Sequence, residues 1–196
     1  MEGGHTGRVT GGLPAHKWTR AGGERYDGAV SLLIRGARVL VPSGLVYGAD
    51  VLVDAGRVRA IGAYLKGPRD AETVEARGAM LAPGLVDLQI NGAYGANFSE
   101  AVPGEVVRAA VRLAEEGVTS FLPTLISLPL KRLEAALGRL AAASRLGPGA
   151  RIAGVHVEGP FLSKARRGAH RAANIRRPSV REFERLWRAS RGLLRV

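Results

Sequence analysis

The chain has 196 residues, and the 46% that are hydrophobic suffice for one ordinary domain, or for a small domain plus part of a larger one. Its formal net charge of +12 favours phosphate-bearing partners, although an arginine-rich coding bias would produce the same composition. The absence of cysteine excludes disulfides and thiolate metal sites. Because there is also no membrane-length apolar run and no signal-peptide pattern, we expect a soluble, cytoplasmic protein with no membrane partner.

The composition divides the chain into three parts. Residues 1–28 are rich in glycine and lack an apolar period, so they are predicted to be a disordered extension in which His5 and His16 are solvated. Residues 29–80 are predicted to be a small antiparallel β domain, with a hairpin at Asp54–Gly56. Its predicted strands are Val30–Ile34, Ala37–Val41, Gly48–Asp54, Arg57–Ala63 and Ala71–Glu75.

From residue 81 onward, strands alternate with helices of ten to fifteen residues, which predicts βαβ units and a parallel sheet. The predicted strands are Met80–Asn91, Val118–Ile126 and Ile152–Glu158, and the predicted helices are Pro103–Glu116, Leu130–Ser144 and Val180–Ala189. Residues 192–196 read as the opening of a fourth strand. The fold class is therefore α/β, with about three βα units.

The stretch from Gly154 to Ser163 has the strongest chemical signal. Val155 and Val157 suit a buried strand, and Gly159 ends that strand directly after Glu158. Side chains alternate along a strand, so His156 and Glu158 share one face. A buried carboxylate needs a partner such as a metal ion. The alternative is a structural glutamate bonded to its own loop, with His156 as a core histidine.

Polar side chains also follow the other two strands, at the end where parallel α/β folds place their sites. Asp87, Gln89 and Asn91 share one parity on the first strand, and Thr124 and Ser127 follow the second. Their convergence would make a site, although polar residues also begin wherever strands end.

A basic cluster follows Glu158, and it would suit a phosphate or simply be a solvated loop. No aromatic residues alternate with these arginines and no nucleic-acid-binding signature is visible, so nucleic acid is not the expected partner. The cluster comprises Lys164, Arg166, Arg167, His170, Arg171, Arg176 and Arg177.

In these motifs the sequence resembles the N-acetylglucosamine-6-phosphate deacetylases of the amidohydrolase superfamily. The resemblance runs in order over roughly residues 30–196 and is specific because several motifs keep their order and spacing. The motifs are Ala82–Gly92, Gly117–Leu125, His156–Leu162 and Lys164–His170.

The resemblance implies a (β/α)8 TIM-type barrel flanked by a β-sandwich, of which residues 29–80 would be part and residues 81–196 the first units. It implies hydrolysis of N-acetylglucosamine 6-phosphate to glucosamine 6-phosphate in amino sugar catabolism, with one divalent ion such as zinc that polarises the acetamide and activates water. Glu158 would bind the metal, and Gln89 and Asn91 would lie near it in place of a His-x-His pair. His170 and Ala169 would bind the sugar, and the complete protein would be a homodimer.

The resemblance also implies that two metal-binding histidines and the catalytic aspartate lie beyond Val196, so no catalytic residue is assigned within this chain. We therefore expect an incomplete barrel that is inactive and folds poorly alone. Three alternatives remain. The chain could be another amidohydrolase that resembles dihydropyrimidinases or adenine deaminases. It could also be a basic binding module without catalysis, or a gene fragment without function. The first alternative is disfavoured because those families keep the His-x-His pair.

Overall fold

A computed structural model of the protein describes residues 31–196, which fall into two compact units that divide after Pro83. The predicted extension over residues 1–28, with His5 and His16, lies outside the described residues. No helix in the described range 31–196 is long and apolar enough to cross a bilayer.

The first unit is a five-stranded sheet in the order β3-β2-β1-β4, with β5 also paired to β1. Its strands are β1 (Leu32–Val41), β2 (Gly44–Asp54), β3 (Arg57–Gly62), β4 (Glu72–Glu75) and β5 (Met80–Leu81). The predicted hairpin at Asp54–Gly56 joins β2 to β3, and both of its central residues, Ala55 and Gly56, have positive φ. Four small apolar residues form the core of the sheet: Ala37, Val39, Ala49 and Val51.

Two expectations for this unit are wrong. The sheet is mixed rather than antiparallel, because after β3 at one edge the chain crosses to the other edge, where β4 runs parallel to β1. The predicted break at Arg35–Gly36 is a bulge inside one continuous strand, with a register shift between Ile34 and Ala37. Gly36 supplies the required φ of +69°.

The second unit is an α/β structure in which β9 is the central strand. Its elements are β6 (Leu85–Ile90), β7 (Gly92–Ala93), β8 (Ala96–Asn97), α1 (Pro103–Glu115), β9 (Val118–Leu125), α2 (Leu130–Ala143), β10 (Arg151–Ile152), β11 (His156–Val157) and α3 (Val180–Ala189). β6, β10 and β11 all pair with β9 in parallel, while β7 and β8 form a separate hairpin. The predicted parallel sheet is confirmed.

Two predicted strands are divided in the structure. The Met80–Asn91 stretch contains β5 and β6, which pair in different sheets, and the Ile152–Glu158 stretch contains β10 and β11. Gly154 lies between the latter two, where a Cβ atom would come within 3.0 Å of the Leu193 carbonyl oxygen. The chain bends there to pair with residues 192–196, and Val155 forms a parallel bridge with Leu194. Residues 192–196, expected to open a fourth strand, therefore contribute a single parallel bridge rather than a strand.

The core of the second unit lies between β9 and the apolar faces of α1 and α2. Phe121 and Leu125 on β9 are fully buried, and the Phe121 ring lies 5.8 Å from that of Phe98, centroid to centroid. Ala109 and Ala110 of α1 are buried in this core, and the Ala150 amide, just before β10, donates to the Ala110 carbonyl at 2.9 Å. This packing fixes β9, whose end carries the polar residues described next.

Candidate functional site

Three parallel strands end at the same edge of the second sheet, and polar side chains follow each of them. Gln89 lies near the end of β6, Ser127 two residues after β9, and Glu158 directly after β11. The Gln89 Nε2 group donates a hydrogen bond to Glu158 Oε1, although the two residues are far apart in sequence. The parallel pairing of β6 and β11 with β9 is what brings these two side chains together.

Glu158 is held in place by its backbone while its carboxylate stays accessible. Its amide donates to the Leu125 carbonyl at 2.8 Å, which extends the β9–β11 pairing to the residue that carries the carboxylate. The carboxylate is 21% exposed, and its Oε2 atom lies 3.6 Å from His170 Nε2. The donor to this carboxylate is a side-chain amide, which differs from the structural alternative of a glutamate bonded to its own loop.

His170 lies on the loop after β11 and turns back towards Glu158. Its Nδ1 atom lies 3.2 Å from the Ser127 amide nitrogen and 3.0 Å from the Ser127 hydroxyl. Ser127 is 1% exposed, and its hydroxyl also lies within donating distance, 3.1 Å, of the Glu158 carbonyl. Asn174 donates to the Ser127 carbonyl at 2.9 Å, and Arg167 donates to the His170 carbonyl at 2.6 Å.

The other residues predicted for this site lie around it. Asn91 donates to the Thr124 carbonyl at 3.2 Å, so it ties the end of β6 to the end of β9. Ala169 is exposed beside His170. His156 is half-buried on β11, where it is paired with Thr124 through the backbone, and within residues 31–196 its ring has no hydrogen-bond partner.

The loop that carries His170 and Asn174 is anchored at its far end to α3. Arg176 donates through its amide to the Pro160 carbonyl at 2.9 Å and through Nε to Glu182 Oε2 at 2.7 Å. The hydrogen bond from Arg176 lowers the pKa of Glu182 below its usual value. Ser179 caps α3 by accepting from the Glu182 amide at 3.3 Å. Part of the predicted basic cluster is thus structural.

The described residues do not complete a cation site. Nowhere in residues 31–196 do three or more histidine, aspartate or glutamate side chains cluster in a way that could hold a metal ion. Glu158 and His170 form one pair of such groups at this edge, with 3.6 Å between Oε2 and Nε2, and a catalytic divalent ion needs further ligands.

Asn174 and the link between Ser127 and His170 were not predicted from the sequence. Asn174 lies in a 3-10 turn, Ala172–Asn174, inside a loop with no periodic pattern that would show which way it faces. Ser127 was recognised as polar at a strand end, but its partner lies 43 residues further along the chain.

No family model matches the chain, but several curated proteins with the same name are similar to it. The chain is 37% identical over 148 residues to N-acetylglucosamine-6-phosphate deacetylase from Bos taurus, a match that covers 74% of this chain. It is 34% identical over 158 residues to the enzyme of the same name from Homo sapiens. The chain is similar to part of each of these deacetylases. It spans 32 to 34% of the length of these two relatives.

Solved structures of the deacetylases show the same fold. N-acetyl-D-glucosamine-6-phosphate deacetylase from Mycobacterium smegmatis, solved as a mutant in complex with N-acetyl-D-glucosamine-6-phosphate, matches with a TM-score of 0.73 and 31% identity, over 85% of this chain and 42% of that one. The Pasteurella multocida deacetylase matches with a TM-score of 0.68 and 25% identity, over 84% of this chain and 43% of that one. The expected resemblance to these deacetylases is therefore confirmed over most of the chain, and over part of each relative.

Proposed function

We propose that the chain is part of a metal-dependent hydrolase that removes acetate from N-acetylglucosamine 6-phosphate, giving glucosamine 6-phosphate in amino sugar catabolism. The observation that carries this proposal is the meeting of Gln89, Glu158 and His170 at the carboxyl edge of three parallel strands. The similarity to the deacetylases, which covers most of the chain, supports the same proposal. The partner at this edge would be a phosphorylated amino sugar.

The proposed roles follow from the positions of the side chains. Glu158 would supply one carboxylate ligand to a divalent ion such as zinc, with its remaining ligands coming from outside residues 31–196. Gln89 would fix the carboxylate through its hydrogen bond, and Asn91 would hold the neighbouring strand end beside Thr124. His170, with the adjacent Ala169, would contact the sugar.

The proposed architecture is a partial (β/α)8 barrel preceded by part of a β-sandwich, with domain limits near residues 29–80 and 81–196. Two observations support the barrel: β6, β9 and β11 run parallel, and residues 192–196 add a further parallel pairing through Leu194. The five-stranded sheet of residues 31–83 supports the sandwich part. The complete protein would be a homodimer.

A second substrate is favoured by one specific comparison. The chain is 30% identical over 165 residues to N-acetylgalactosamine-6-phosphate deacetylase from Escherichia coli O157:H7, a match that covers 84% of the chain. The two sugars are epimers that carry the same acetamide and phosphate groups, so the residues assigned above would serve either of them. The galactose epimer is therefore included in the test.

The test joins this chain to the part of the Mycobacterium smegmatis relative that it does not cover and measures acetate release in the presence of zinc. We expect release from N-acetylglucosamine 6-phosphate or from N-acetylgalactosamine 6-phosphate, little release from unphosphorylated N-acetylglucosamine, and loss of release in Glu158→Gln. Glu134→Gln is the matched control, because Glu134 is an acidic residue of the same unit that pairs with Arg185 on α3. A folded fusion that releases no acetate, or a fully active Glu158→Gln variant, would contradict the proposal.

The chain by itself gives a separate result. We expect no measurable acetate release from residues 1–196 alone, because Glu158 and His170 do not complete a metal site. Measurable release by the purified chain would show that the described residues suffice, and it would overturn the proposed incomplete site while supporting the proposed substrate.

A further inference from the structure

Ser127 is buried beneath His170 and contacts the ring on the side opposite Glu158. The ring presents Nδ1 to the Ser127 amide at 3.2 Å, and its other nitrogen, Nε2, lies 3.6 Å from Glu158 Oε2. The two nitrogens of a neutral imidazole differ, since one carries the proton and the other accepts hydrogen bonds. The group that faces Nδ1 therefore decides whether Nε2 donates or accepts a hydrogen bond.

The Ser127 amide settles the tautomer because a backbone N–H can only donate. If Nδ1 carried a proton, that proton would point at the proton of the amide, so neutral His170 must hold its proton on Nε2. The serine hydroxyl can donate to Nδ1 or to the Glu158 carbonyl, and this choice leaves the amide contact unchanged. The separation of 3.6 Å between Nε2 and the carboxylate is longer than a normal hydrogen bond, so the Nε2–H group is available to another acceptor.

Ser127 is itself held from three directions, which makes it a rigid support. Asn174 donates to its carbonyl at 2.9 Å, and its hydroxyl lies 3.1 Å from the Glu158 carbonyl oxygen. Gly159 packs so closely that a Cβ atom there would meet the Ser127 hydroxyl oxygen. The same buried serine thus touches the backbone of Glu158 and the ring of His170, and it fixes one relative to the other.

We propose that Ser127, braced by Asn174, is a positioning residue that holds His170 as the Nε2–H tautomer and offers this N–H as a hydrogen-bond donor to an oxygen atom of a bound sugar. The sugar part of this inference rests on the proposed function. The tautomer part rests only on the contacts of Ser127 and His170.

The test uses the full chain labelled with 15N at histidine, and long-range 1H–15N correlation spectra recorded where the imidazoles are neutral. The signals of His170 are identified by their absence from the spectra of a His170→Asn variant. We expect its Nδ1 to resonate as an unprotonated nitrogen and its Nε2 as a protonated one. Sugar binding is followed by adding N-acetylglucosamine 6-phosphate to the same samples.

Ser127→Ala tests the side chain. It removes the hydroxyl that lies 3.0 Å from Nδ1 but keeps the Ser127 amide, so we expect Nδ1 to stay unprotonated while the signals of the two ring nitrogens shift, because the ring loses its contact with the hydroxyl. We expect sugar affinity to fall about fivefold, the effect of one lost hydrogen bond. Ser127→Thr keeps the hydroxyl and should restore both properties.

Ser190→Ala is the matched control. Ser190 is equally buried in the same unit, its hydroxyl donates to the Trp187 carbonyl at 2.7 Å, and it accepts from the Leu194 amide at 3.2 Å. It should change stability without shifting the His170 ring signals, so it separates positioning from general loss of structure.

A protonated Nδ1 in the wild-type chain would overturn the inference, as would a Ser127→Ala variant whose His170 signals shift no more than those of Ser190→Ala. The two proposals fail differently. If the His170 signals respond as expected but the sugar phosphate does not bind, the proposed contact between His170 and a sugar is contradicted while the role of Ser127 stands. If the sugar binds while Nδ1 is protonated, the role of Ser127 is contradicted while the proposed sugar binding stands.

Discussion

Replacing Phe121 by alanine should be among the most damaging single changes in the second unit. Phe121 lies on β9, the central strand whose carboxyl end leads to Thr124 and Ser127, and its side chain is fully buried. Its ring lies 5.8 Å from that of Phe98 at an interplanar angle of 37°, so the variant loses a ring contact as well as buried area. Loss of this anchor would loosen β9 and the site residues that it positions.

The expected loss of unfolding free energy is about 4 kcal/mol, within the range of about 3–5 kcal/mol for buried phenylalanine, which already includes the cavity left behind. A domain of this size has roughly 5–15 kcal/mol of stability in total, so the variant loses a large share of it. With a urea dependence of about 2 kcal/mol per molar, the unfolding midpoint should fall by about 2 M.

The assay is urea unfolding followed by the fluorescence of Trp187 on α3. Phe183→Ala is the matched control, since Phe183 also contacts an aromatic ring, that of Trp187 at 6.4 Å, but is 47% exposed. It should cost about 1 kcal/mol or less, because nearly half of its surface stays in water in the folded state. Equal midpoint shifts for the two variants would refute the assignment of Phe121 to the core.

Two further predictions concern charged side chains. Asp50 is buried and accepts from the amides of Gly36 and Leu65, each at 3.0 Å, so Asp50→Asn should destabilise the first unit by about 2 kcal/mol. Hydrogen exchange of the β1 and β2 amides checks this, and unchanged protection would contradict it. Because the hydrogen bond from Arg176 lowers the pKa of Glu182 in the folded state, this pair stabilises the fold above the ordinary glutamate pKa of 4.5 and loses its effect as the pH falls through the lowered value. Thermal melts of wild type and Glu182→Gln should therefore differ at neutral pH and converge in acid, and a constant difference at all pH values would refute the argument.

Local pattern was sufficient for the elements whose periodicity is long. Helices α1, α2 and α3 were predicted to within one residue at their ends, because their apolar stripes recur at helical spacing over ten or more residues. The Asp54–Gly56 hairpin was predicted because its turn needs two residues of positive φ in a short connection. Short strands were predicted less well: β10 and β11 were merged into one, because apolar residues on both sides of Gly154 look the same whether or not the chain bends between them.

The candidate site shows the same division. The sequence by itself determined the polar residues at the strand ends, Gln89 and Glu158 among them, because those positions follow from strand length. His170, on the loop after β11, was predicted from the order of the motifs. Only the tertiary structure decided that Gln89 bonds to Glu158, and that Ser127 contacts the Nδ1 atom of His170. The physical reason is that hydrogen bonds depend on distances of a few tenths of an ångström, which are set by the parallel register of β6 and β11 on β9 and by the packing of the loop around Ser127.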